Sequence, residues 1–261
     1  MKVCFLATLA TVALCNPSSA TGYDEYKSLL NKLTLNSPRP SVANIASGFG
    51  AGPGIVYASV SYSDRDLQTD KEDDDDGSIM FGIGLGDPLD GIGAELSVAL
   101  TSVSTSLWGD GKFADEGNIS AKFHKIIVPT LGDSASVSVG ASNIVGWGST
   151  KLNPTNYYVA FSESKLLGNY SEYGVAYTIG YGSGVSNLET SGDIFAGIGI
   201  GYHNYSGSIS KIGNEMHASV SYYPPKLLGL NISVTKADLA NKLNSERLIL
   251  TLGYNTKIGG L

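Results

Sequence analysis

The sequence predicts an all-β chain, an antiparallel up-and-down barrel of about twelve strands preceded by one short amphipathic helix. Three observations predict it: alternation of period two from Gly54 onward, a second strand face of small residues, and connections alternating between long and short. Composition sets the outer limits. Only 16% of the 261 residues are charged while 9% are aromatic, the reverse of a chain that stays disordered. A formal charge of −7 argues against nucleic acid as a partner, because phosphate recognition needs an excess of Lys and Arg. Nothing in the residues points to a cofactor.

Taken in order, residues 1–20 (MKVCFLATLATVALCNPSSA) have the form of an export signal. Lys2 supplies the positive end, Val3–Leu14 the apolar centre, and Ser18-Ser19-Ala20 the small residues of a cleavage site. That apolar run is too short to span a bilayer as a helix. A lipoprotein site at Cys15 is disfavoured because Leu14 stands where a small residue is wanted. Cys4 and Cys15 both fall inside this segment, so the mature chain carries neither disulfides nor thiol chemistry. Losing Lys2 would take its formal charge to about −8.

Residues 21–53 form a second unit. Tyr23, Tyr26, Leu29, Leu30 and Leu33 recur at helical spacing, with Asp24 and Glu25 at the start and Lys32 near the end. This predicts a helix over 23–33, a plug or periplasmic cap, followed by a Pro/Ser/Gly-rich linker from Asn36 to Gly54.

The third unit, 54–261, is the strand-forming one. Ile79-Phe81-Ile83-Leu85 alternates with Met80, Gly82 and Gly84. Ile92 to Leu100 alternates with Gly93, Glu95, Ser97 and Ala99, and Tyr173 to Tyr181 with Gly174, Ala176, Thr178 and Gly180. Ala135-Val137-Val139, Met216 to Tyr222 and Leu248 to Tyr254 follow the same rule. Less regular strands are expected at 55–62, 118–127, 156–162, 194–202, 204–210 and 229–235. A sheet face exposed to water usually carries Lys and Glu. A face of Gly, Ser, Ala and Thr suits a lumen. Connections at 63–77, 104–117, 145–155, 183–192 and 237–245 are long and polar, with 211–214 the short exception. Those at 87–90, 128–133, 203–204 and 224–229 are short, and 163–171 is intermediate.

Long loops on one side, short turns on the other, an even strand number and rim aromatics such as Trp108 and Trp147 resemble the bacterial outer-membrane β-barrel class, porin-like in kind. The resemblance covers residues 54–255 and rests on pattern, with no family motif; the chain ends TLGYNTKIGGL, without the terminal aromatic common in that class. It implies an outer-membrane location in a Gram-negative cell, lipid as partner and transport as role. A twelve-strand barrel tilted near 40° has a backbone diameter of roughly 24 Å, so a small-residue lumen implies a narrow pore for passive diffusion of small solutes. Two other readings stay open: a non-conducting surface or structural barrel, and a soluble secreted β-sandwich adhesin.

The candidate pore-lining residues are the ionisable groups on the small face: Glu95, Lys122, His124, Glu215, His217 and Arg247. Charges in membrane strands are tolerated where they line water or pair. Glu95 and Lys122, each midway along neighbouring strands, are expected to meet. Lys125 falls on the apolar face and is expected to snorkel toward the short-turn rim. The run 70–77 (DKEDDDDG) offers Asp74 and Asp76 as weak Ca²⁺ ligands, half of an EF-hand spacing without flanking helices; a solvated acidic loop is the simpler reading. Gly82-x-Gly84-x-Gly86 and Gly197-x-Gly199-x-Gly201 lie within strands and lead into no helix, so they are not nucleotide loops. His217 shares a face with Ser219 and Ser221, but serine is common on every such face and marks no nucleophile. The residues predict no enzyme. Four Asn-x-Ser sequons, at Asn118, Asn169, Asn204 and Asn231, are read as chance.

Overall fold

The computed structural model describes residues 42–64, 76–101, 114–130, 133–167, 173–183, 192–241 and 245–258. The predicted signal, the 23–33 helix, Trp108, Asp74 and Asn169 lie outside them.

Twelve antiparallel strands close on themselves. They are β1 (Ile55–Ser63), β2 (Asp76–Leu85), β3 (Gly93–Leu100), β4 (Gly117–Thr130), β5 (Asp133–Trp147) and β6 (Asn156–Leu167). The second half holds β7 (Tyr173–Ser183), β8 (Gly192–Tyr202), β9 (Tyr205–Ile212), β10 (Glu215–Tyr222), β11 (Leu230–Ala237) and β12 (Arg247–Lys257). Each strand pairs with its sequence neighbours, and β1 pairs with β12 from Ile55↔Lys257 to Ser63↔Ile249. The closure excludes the β-sandwich.

Alternation explains which side each residue takes. Phe81, Ile179, Ile198, Val220 and Leu250 stand exposed on the outer surface. Ser136, Ser162, Thr178, Ser210 and Ser219 are buried on the inner one. An apolar exterior over a polar interior is the arrangement lipid demands, because it offers no partner to a polar group. Tyr173, Tyr202, Tyr205 and Tyr222 are paired in one row across the short-turn ends of β7 to β10. Their rings pack in pairs, with Tyr173–Tyr202 centroids 4.7 Å apart and Tyr205–Tyr222 5.0 Å apart. This row has the form of the aromatic girdles of membrane barrels. Tyr181 lies eight positions further along β7, about 20 Å higher at a 40° tilt.

The least regular strands are β4 and β5, which run longer than the pattern predicts. Register shifts fall between Ile119 and Ala121 and between Ile126 and Val128. Asn143 takes φ 54° at the first shift and ties its side chain to Thr150 O and Asn153 O, 3.0 and 2.7 Å away. A bulge resets which face a residue takes, so the period-two signal fades through residues 141–147. Beyond it, a short 3-10 helix spans Gly148–Leu152 in the predicted loop. Trp147 covers Gly117, its Nε1–H donating to Ala114 O. On the outer face Lys125 reaches the β2–β3 turn, where its Nζ meets Gly91 O at 3.1 Å.

Several glycines of the inner face do not open onto free space. Gly82, Gly140 and Gly180 stand directly opposite Tyr57, Tyr158 and Phe195, whose rings lie where a Cβ would be. Each glycine is a seat for a large ring. Gly82→Val should therefore push Tyr57 aside and lower resistance to urea unfolding by about 1–3 kcal/mol. Gly207 faces outward, and a Cβ there comes no nearer than 3.9 Å to Ser219 O, so Gly207→Val should stay within about 0.5 kcal/mol. Equal losses at the two positions would count against the ring-over-glycine account.

Candidate functional site

Among the described residues the lumen holds two charged centres and a length of the chain's own backbone. The first centre forms because β2 to β6 bring Gly84, Glu95, Lys122, Gly140 and Tyr158 into one cross-strand row. Glu95 and Lys122 are direct partners, with Nζ 3.3 Å from Oε2 and side chains only 17% and 12% exposed. Glycine on each side of the pair leaves the wall flat there. Tyr57, on its own glycine seat, donates its hydroxyl to Glu95 Oε1 at 3.0 Å.

Residues 42–53 lie against this flattened wall. Glu95 Oε2 accepts the Ala51 N–H at 2.7 Å, and Lys122 Nζ donates to Phe49 O at 3.0 Å. The ion pair therefore grips the segment at two backbone positions. Further along, Ser136 Oγ donates to Gly48 O at 2.7 Å and Ser138 Oγ to Ser47 O at 2.9 Å. Ser162 Oγ accepts the Gly48 N–H at 2.8 Å. Ser208 Oγ accepts the Ala43 N–H at 3.1 Å, and Ser210 Oγ donates to Ala43 O at 2.9 Å. Ile45 and Ala46 pack on Ala160, Phe195 and Ile212. The segment thus follows the inner wall from β9 to β2 before Gly54 leads into β1. Close approach requires glycine on both sides: a Cβ at Gly48 would meet Ser136 O and Ser162 N, and one at Gly84 would meet the carbonyls of Ala51 and Gly52.

His124 lies beneath the same stretch, its ring against Gly50 and Gly93 and only 3% exposed. Neither of its ring nitrogens has a hydrogen-bond partner among the described residues, and the same holds for His217. No described serine therefore forms a nucleophile–base pair with either histidine.

The second centre lies at the long-loop end. Glu215 Oε1 is 2.6 Å from Arg247 Nη1, and Glu215 Oε2 is 3.6 Å from His217 Nε2. Glu215 and His217 are each 3% exposed. Arg247 pairs across the sheet with Ala237, a residue with no exposed surface. A small side chain on β11 lets groups from β10 and β12 meet across it. Arg247 also donates to Ser245 O at 3.0 Å. Asp238, buried at φ 49°, accepts both the N–H and the hydroxyl of Ser245 at 3.1 Å. The centre thereby holds the two ends of the β11–β12 connection together.

Of the six predicted lumen residues, the fold assembles Glu95, Lys122 and His124 into one centre and Glu215, His217 and Arg247 into the other. Asp76 opens β2 opposite Ser63, and no group of three metal-ligating side chains occurs among the described residues. Sequence reasoning missed Tyr57, the serines that bind the segment, and the Asp238–Ser245 tie. One signal was available for the segment. Gly48-Phe49-Gly50-Ala51-Gly52 repeats the small-residue alternation of the wall strands within the predicted linker.

In three dimensions the chain resembles the KdgM porin, with a TM-score of 0.50 at 10% identity over 78% of this chain and 99% of that one. It has the KdgM porin fold. A KdgM porin in complex with disordered oligogalacturonate matches equally, with a TM-score of 0.50, 9% identity and the same coverage. No family profile matches the sequence, and no curated protein does. The barrel shares its architecture with those structures at about one identical residue in ten.

Two measurements test the chemistry of the lumen. In a double-mutant cycle of Glu95→Gln and Lys122→Met, urea unfolding should give a coupling of about 1–3 kcal/mol; additive losses would mean that the two charges act separately. Arg247→Met strands a buried carboxylate and should cost about 3–5 kcal/mol, whereas E215M/R247M should lose less than R247M alone. A double variant weaker than the single would refute the pairing.

Proposed function

We propose that this barrel forms a narrow pore in the outer membrane of a Gram-negative bacterium, passing small uncharged polar solutes by passive diffusion. The observation that carries the reading is a closed twelve-strand barrel of the KdgM porin fold with a hydroxyl-lined interior. Glu95, Lys122, His124, Glu215, His217 and Arg247 are its pore-lining ionisable groups, and residues 42–53 its internal constriction. Residues 21–53 act together as the plug-like unit, and 54–261 as the barrel.

The preference for uncharged solutes rests on pairing. One KdgM porin structure is a complex with oligogalacturonate, a chain of carboxylates. A wall suited to such a ligand needs cations free to meet it. Here Lys122 is held by Glu95 and Arg247 by Glu215. Hydroxyls from Ser136, Ser138, Ser162, Ser208 and Ser210 dominate the track instead; here they bind the backbone of residues 43–48, and where that backbone is absent they suit polyhydroxylated or amide-bearing molecules.

A second reading is favoured by one observation, the segment 42–53 itself. Packed layers sit about 10 Å apart, so in a barrel roughly 24 Å across the segment leaves about 14 Å to the opposite backbone. Facing side chains take up most of that. A permanently closed barrel would serve as a surface or structural protein through its long loops.

Planar-bilayer recording and liposome swelling separate the two. The pore reading expects discrete current steps and faster swelling with uncharged sugars than with sugar acids of equal size. Lys122→Glu should move the reversal potential in a salt gradient toward cations. A folded protein giving neither current nor swelling, both as wild type and as K122E, leaves the closed barrel as the better account.

A further inference from the structure

We infer that residues 42–53 are a displaceable gate, a resident peptide that occupies a backbone-binding track in the wall and leaves it when the pore opens. The inference rests on the pore reading above and adds the regulation of that same lumen.

The first support is what the track recognises. Eight hydrogen bonds join it to the segment; seven end on backbone N–H or carbonyl groups of Ala43, Ser47, Gly48, Phe49 and Ala51, and the eighth links the Ser47 and Ser162 hydroxyls. Five wall serines and the Glu95–Lys122 pair supply them. A track of this kind selects a thin, extended peptide chiefly by its backbone, with the Ser47 hydroxyl the one hydrogen-bonded side chain among the described residues, and Gly48, Gly50 and Gly52 make the segment thin. The fit is close. A Cβ at Gly48 or Gly50 would strike the wall, and one at Gly84 or Gly197 would strike the segment.

The second support is what happens on release. A permanent filling of the lumen would be expected to bury apolar surface, but only Ile45 and Ala46 pack on an apolar cluster here. Apart from the contacts of Val42 at Gly197 and of Gly50 on the His124 ring, the other described holds are polar bonds that water can replace on both sides. Removing the segment into a hydrated lumen therefore strands no buried polar group, which keeps the cost of release down. No disulfide holds the segment, since Cys4 and Cys15 are the chain's two cysteines and both precede it. Its downstream end is fixed by Gly54, whose N–H donates to Gly84 O at 3.0 Å, which makes residues 52–54 the hinge.

Ser47 and Ser162 provide the test, because their hydroxyls lie 3.3 Å apart, one on the segment and one on β6. In the full chain with Cys4 and Cys15 changed to serine, S47C/S162C should crosslink when oxidised. Oxidation should cut the open time in a planar bilayer by about tenfold or more, and reduction should restore it. Gly48→Val, which cannot seat, should raise current above the wild type. A folded S47C/S162C variant that fails to crosslink, or whose verified crosslink leaves the current unchanged, overturns the gate while leaving the pore intact. Absence of current in every variant, G48V included, overturns the pore reading and the gate with it.

Discussion

The pairing of β1 with β12 is the constraint on which the rest of this molecule depends. An open twelve-strand sheet in lipid would leave two edges of unsatisfied N–H and carbonyl groups, each costing several kcal/mol. Nine cross-strand partners, from Ile55↔Lys257 to Ser63↔Ile249, remove both edges together. Closure also turns a chemical alternation into a spatial one. Once the sheet is a cylinder, every second residue faces outward and every other faces a confined interior. The exposed Ile, Leu, Val and Tyr side chains outside and the buried Ser, Thr, His and Glu inside are two readings of one pattern.

A confined interior has to be filled or hydrated, and this barrel fills much of it in two ways. Rings fold over glycines, as Tyr57 does on Gly82, Tyr158 on Gly140 and Phe195 on Gly180. Backbone fills the rest of the wall from β2 to β9, where residues 42–53 satisfy serine hydroxyls with amide and carbonyl groups. Both devices need a residue without a side chain at the point of contact. High glycine content, which suggests an empty lumen when read alone, here serves close packing.

Charge inside the barrel follows the same economy. Glu95 with Lys122 and Glu215 with Arg247 are pairs of opposite sign set at separate places in the lumen, and isolated charges at such low exposure would be costly. The first pair positions a peptide, and the second ties the β11–β12 connection through Ser245 and Asp238. A Glu–Lys pair that lies between two glycines differs from a solvated surface pair in what it can do. It presents an acceptor and a donor to one passing backbone.

By itself the sequence determined the strand class, an approximate strand number and the alternation of faces along most strands, because alternation is a local property legible two residues at a time. Even the partnership of Glu95 with Lys122 was within reach, since a hairpin fixes the register of its own two strands. Legibility ended where local period fails or where contacts join distant strands. The bulges in β4 and β5 broke the alternation, so both strands ran past their predicted ends. Glu215 and Arg247 meet across an intervening strand, at a height set by the stagger of the closed sheet rather than by either strand's residues. The segment 42–53 carries the composition of a linker, and nothing local distinguishes a glycine-rich linker in water from one laid along a serine track. Only the tertiary structure decided that, because the track exists only after the strands that contribute its hydroxyls have closed around it.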